Sequence, residues 1–76
     1  MNKTVDFTSR EDIYLKEIEG KKPNTVRRAN IENLAKIMDA THIRIHKLNF
    51  KTSFLRTISD VTIYDHRIII SWKKKG

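Results

Sequence analysis

Apolar and polar residues alternate along the second half of the chain, and recur every three to four positions in the first half. In "HIRIHKLNF", Ile43 and Ile45 alternate with Arg44 and His46, while "SFLRTISDVTIY" and "RIIISW" are rich in β-branched and aromatic residues with "DH" between them as a tight turn. The pattern predicts strands over about 43–49, 54–64 and 67–72. In the last, Ile68, Ile70 and Trp72 share one face and Ile69 and Ser71 the other, as in a strand covered on both sides. Ser59 and Asp60 break the alternation of the middle strand, which points to a bulge.

Two helices are predicted ahead of these strands. Ser9 followed by Asp12 reads as a helix start, Ile13, Tyr14, Leu15 and Ile18 form an apolar stripe, and Gly20 stands where a left-handed C-terminal residue is wanted, so helix one covers about 9–19. Pro23 disfavours helical geometry at Lys22, which makes "GKKP" a helix exit. The following "NTVRRANIENLAKIMDA" reads either as one long helix capped by Asn24 or Thr25, or as an extended segment over 22–28 and a helix over about 30–39 capped by Asn30. Apolar spacing is regular only in its second half, at Ile31, Leu34, Ala35 and Met38, and favours the latter. In an extended segment, Lys22, Val26 and Arg28 would lie on one side and Lys21, Thr25 and Arg27 on the other. The expected architecture is α+β: two N-terminal helices, then a three-stranded antiparallel sheet, with a short extra strand available at 22–28. The 76 residues make one small domain, and 73–76 reads as a flexible basic tail.

Charge sharpens the picture of a partner. The net charge is −2 over residues 1–20, +3 over 21–40 and +6 over 41–76, giving +7 in all. A basic surface of that density attracts polyanions through counterion release, so nucleic acid is the leading partner class and an acidic protein the next. The chain has no cysteine, which removes disulfides, zinc fingers and thiol nucleophiles and suits a cytoplasmic protein. No apolar run approaches the roughly 18 residues of a membrane span, and the N-terminus lacks the apolar stretch of a signal peptide.

Candidate chemistry is sparse. His42 and His46 would stand about 13 Å apart in a strand, too far to share an ion, and no Gly-rich phosphate loop is present, so neither a metal nor a cofactor is expected. Basic residues are the stronger candidates: Lys21, Lys22, Arg27 and Arg28 beside the corner at Pro23, Arg44 and Lys47 on a strand, and Lys73, Lys74 and Lys75 at the tail as a sequence-independent phosphate grip. Aromatic residues among cations, from Phe50, Phe54, Tyr64 and Trp72, could stack unpaired bases, although Phe54 and Trp72 suit the core better.

Residues 20–27, "GKKPNTVR", fit the pattern Gly-x-Lys-x-x-x-x-Arg directly after the amphipathic "YLKEIEG". This resembles the signature of the ASCH family of small PUA-like β-barrel domains. The resemblance implies that Lys22 and Arg27 line a basic cleft and that Gly20 sets the turn. It also implies that, in an enzyme of the family's amidohydrolase type acting on a modified nucleoside, Lys22 and Thr25 would be catalytic with a later glutamate. The only glutamate after Thr25 is Glu32. The segment "RTISDVTIYDHRIIISW" resembles small uncharacterised proteins of bacteriophages and mobile elements, a likeness of composition that implies no activity; a protein of that type would dock its basic face on an acidic or nucleic-acid-binding surface of a host protein. The expected function is thus a small binding module contacting RNA or single-stranded nucleic acid through its Lys/Arg surface. A host-protein modulator and an ASCH-type amidohydrolase are the alternatives.

Overall fold

The computed structural model describes residues 3–73. Seven elements follow in order: β1 (Thr4–Ser9), α1 (Glu11–Ile18), β2 (Asn24–Arg28), α2 (Ile31–Ile37), β3 (His42–Lys47), β4 (Ser53–Tyr64) and β5 (Arg67–Trp72). The fold is α+β, but the sheet has five strands in the order β1-β3-β4-β5-β2, with β1 parallel to β3 and the other neighbours antiparallel. This corrects the expected three-stranded antiparallel sheet following two helices.

The difference begins at the N-terminus. In "TVDFTS", Val5, Phe7 and Ser9 point inward and are buried, so the segment forms a strand, and helix α1 starts at Glu11 rather than at Ser9. Ser9 does not cap α1; Arg10 holds that position and makes no side-chain capping bond. The segment after Pro23 is extended and pairs antiparallel with β5, placing Thr25 opposite Ile70 and Arg27 opposite Ile68. Helix α2 is capped as its sequence indicates, with Asn30 accepting a 2.8 Å hydrogen bond from the backbone of Asn33. It ends sooner than position 39 because Met38 leaves helical geometry and Asp39 is left-handed at φ 61°. Ile31 and Met38 face solvent, and Leu34 and Ile37 pack on the core instead.

Strand β4 gives the sheet its curl. Its first half pairs with β3 and its second half with β5, and the register slips between Ile58 and Asp60. Before that bulge Phe54 faces the core, opposite Ile45; beyond it the inward parity shifts by one, and Val61 and Ile63 stand opposite Ile70 and Ile68. The turn Asp65–His66 has positive φ at both positions, 50° and 61°, as a two-residue hairpin with the twist of its strands requires. The core consists of Val5, Phe7, Tyr14, Ile43, Ile45, Phe54, Ile68, Ile70 and Trp72. Phe54 meets Tyr14 and Trp72 edge-on, with ring centroids 5.2 and 5.9 Å away. Both Phe54 and Trp72 are therefore core residues and offer no face to a base. Among the described residues no helix is long and apolar enough to cross a membrane.

Candidate anion-binding cleft

Strands β1 and β2 are the two edges of the sheet, yet one side chain joins them. Arg27 on β2 donates from Nη1 to the Thr8 carbonyl and from Nη2 to Ser9 Oγ on β1, both at 2.9 Å, and from Nε to Thr25 Oγ1 at 3.1 Å. Its guanidinium also lies over the Phe7 ring, 4.9 Å from the centroid. Thr25 and Arg27 share the inward face of β2 because alternate residues of a strand do, so the arginine is drawn across the gap that the curl of the sheet leaves open. Burial lowers the pKa of the Arg27 guanidinium, and the nearby Glu17 carboxylate partly opposes that shift.

Glu17 is the least expected member of the site. It is fully buried on α1, one helical turn after the buried Tyr14, and its carboxylate lies 3.6 Å from Lys22 Nζ. Neither carboxylate oxygen receives a hydrogen bond among the described residues. Lys22 itself precedes β2, in the bend set by Gly20 (φ 82°) and Pro23, and donates to the Asn24 carbonyl at 3.1 Å. Strand alternation therefore does not govern it. Lys22 lines one cleft together with Thr25, Val26 and Arg27, and Arg28 is not among that cleft's lining residues.

Two open clefts flank β2. The first, about 340 Å³, fills the gap between the strand edges and is lined by Thr8, Ser9, Arg10, Ile13, Lys22, Thr25, Val26 and Arg27. The second, about 430 Å³, lies at the far end of β2 against the β4–β5 turn and is lined by Val26, Arg27, Arg28, Asp65, His66 and Arg67. They share Val26 and Arg27, and together present Arg10, Lys22, Arg27, Arg28 and Arg67 with Asp65 as the one carboxylate among the lining residues. Arg10 also lies 3.6 Å from Asp12, an exposed pair that water screens.

The other basic candidates stand apart from this cluster. Lys21 is exposed and pairs with Glu19 at 3.2 Å. Arg44 is on β3, with Asp6 and Leu55 as its register neighbours and β4 and β5 between it and β2. Lys47 pairs with Glu11 at 3.5 Å and lies over the Phe50 ring at 4.2 Å. Lys73 is exposed, and Lys74 and Lys75, with the rest of the expected tail, lie outside the described residues. His42 bonds to Thr41 Oγ1 and His46 to Asp6 Oδ1, so the two rings serve separate contacts. Sequence reasoning missed Arg10, Ser9 and Glu17; for Glu17 the available signal was its three-residue spacing from Tyr14 on one helical face.

Compared with known proteins, the chain matches no family model and no curated protein.

Proposed function

We propose that the protein is a small nucleic-acid-binding module that contacts RNA or single-stranded DNA along β2. The observation that supports this reading is the pair of clefts meeting at Val26 and Arg27, where five cations converge with one lining carboxylate. Such a run of positive charge along a strand edge suits a phosphate backbone, whose neutralisation releases counterions. Within the reading, Lys22, Arg10, Arg28 and Arg67 contact phosphates, and Arg27 forms the floor between them. Lys21, Arg44, Lys47 and the Lys73–Lys75 tail add only long-range attraction. The absence of cysteine fits a cytoplasmic setting.

The test is the salt dependence of binding to labelled single-stranded RNA, with Arg10→Ala/Lys22→Ala as the comparison. For single strands each phosphate contact contributes a slope of roughly −0.7 in log K against log salt, so losing two contacts should flatten the slope by about 1.4. Binding whose slope is unchanged in that variant, or no binding at low salt, refutes the reading. A protein partner captured in its place would favour the host-protein modulator.

One observation favours a second, hydrolytic reading. Lys22 and Thr25 line one cleft and the buried Glu17 carboxylate lies 3.6 Å from Lys22 Nζ, so an acid from α1 is near the two residues that the family resemblance would make catalytic. On that reading Lys22→Ala abolishes turnover of an acetylated cytidine, and unchanged turnover, or none in the wild type, disposes of it.

A further inference from the structure

The outward face of the β4–β5–β2 sheet carries a row that joins two arginines of the second cleft, Arg28 and Arg67, to a tyrosine that does not line it. Tyr64 on β4 stands opposite Arg67 on β5, and Arg67 stands opposite Arg28 on β2, so three side chains cross the sheet in register. Residues directly opposite on antiparallel strands share a face, with neighbouring α-carbons roughly 4.5–5.5 Å apart. Tyr64 is 72% exposed, the most exposed aromatic side chain among the described residues, and both arginines are exposed. The next row inward, Thr62–Ile69–Val26, is largely apolar.

The row breaks a local rule. Like charges directly opposite on paired strands repel. Among the described residues, the side chains of Arg28 and Arg67 make no ion pair and no hydrogen bond that would offset this. The adjacent Asp65–His66 turn is tight, so the three side chains are held in sequence rather than on a loose loop. An unsatisfied pair of arginines beside an exposed tyrosine matches the chemistry of a single nucleotide step. The ring offers a stacking surface to a base, and the guanidinium groups offer donors to the flanking phosphates.

We infer that Tyr64, Arg67 and Arg28 form a base-stacking subsite that selects unpaired nucleotides. The inference rests on the nucleic-acid reading above and adds to it the choice between single strand and duplex. In a duplex the faces of the bases are covered by their neighbours; in a single strand a base can leave the stack and lie on an aromatic ring. Charge alone would not make that distinction, because both polymers present phosphates.

The experiment measures fluorescence anisotropy with a labelled single-stranded RNA and with its duplex, for the wild type, Tyr64→Leu and Tyr64→Phe. A 2-aminopurine base in the single strand reports stacking through quenching of its emission. The wild type should prefer the single strand and quench the probe. Tyr64→Leu should weaken single-strand binding about tenfold, the order expected for loss of one stacked base, while leaving duplex binding unchanged and removing the quench. Tyr64→Phe should retain both. An equal loss on both polymers, or no loss on either, overturns the stacking subsite and leaves the charge-based reading standing. A wild type that binds neither polymer overturns both. Thermal melting of each variant verifies folding, which an exposed side chain should little affect.

Discussion

Replacing Arg27 with methionine tests whether one side chain closes the sheet. Methionine keeps much of the aliphatic stem but removes all three hydrogen bonds, to Thr8, Ser9 and Thr25, and the stacking on Phe7. Ser9 and Thr25 are 4% and 2% exposed, so their hydroxyls lose their arginine donors where water cannot readily replace them. Each such orphaned group costs about 1–3 kcal/mol, and the cation–π contact contributes about 0.5–2 kcal/mol more. Relief from burying the guanidinium offsets part of this, in keeping with its lowered pKa. The expected net loss is about 3 kcal/mol. For a domain of this size total stability is about 4–11 kcal/mol at roughly 0.05–0.15 kcal/mol per residue, so the loss is a large fraction of the whole. In urea titrations, with m about 1–1.5 kcal/mol/M for a small domain, the midpoint should fall by about 2–3 M. Arg28→Met, one position away on the outward face, should change stability by no more than about 0.5 kcal/mol. A midpoint shift below about 0.5 M for Arg27→Met at unchanged m would refute the closure argument.

Two further predictions use the same structure. Glu17→Gln removes a buried negative charge beside Lys22 while nearly preserving shape, so single-strand RNA affinity at low salt should rise several-fold, because a phosphate at Lys22 no longer competes with a carboxylate 3.6 Å from the ammonium; unchanged or weaker binding by anisotropy would count against the cleft as the phosphate site, and loss of nucleoside turnover in the variant would favour hydrolysis. Asp65→Asn/His66→Gly supplies the residues that a turn with positive φ at both positions prefers, and should raise stability by about 1 kcal/mol, or roughly 4–8 °C in melting temperature; a lowered melting temperature would contradict the turn geometry.

Local signals in the sequence were legible, and distant pairings were not. "RIIISW", the "DH" turn, the interruption at Ser59 and Asp60, the Asn30 cap and the exit at "GKKP" each reflect a few adjacent residues, and each lies where its chemistry indicates. Strand β1 escaped because its two large apolar residues, Val5 and Phe7, alternate over only six positions, while Ser9 and Asp12 supply a competing helix-start signal. Its partner β3 lies 38 residues further along, with Thr4 opposite His42, and no local pattern encodes a parallel pairing over that distance. The α2 stripe was misread in detail because spacing identifies a face without saying how much of it is covered.

The site divides along the same line. Thr25 and Arg27 share an inward face, as alternation from Pro23 onward implies. Lys22 sits in a bend where alternation has no meaning, and the buried Glu17 runs against the expectation that a glutamate on an amphipathic helix faces water. What links these residues is the closure of the sheet: the arginine that joins β1 to β2 is also the floor of the basic cleft, so its removal should lose stability and ligand affinity together. Arg10 carries charge at the rim without bridging the strands, and its removal should reduce affinity while leaving most of the stability, whereas removing Lys22 also leaves the buried Glu17 carboxylate without its ion-pair partner. A binding defect produced by Arg27→Ala therefore cannot by itself assign a phosphate contact, whereas the same defect from the rim residue Arg10, measured on a domain that still melts as the wild type does, can.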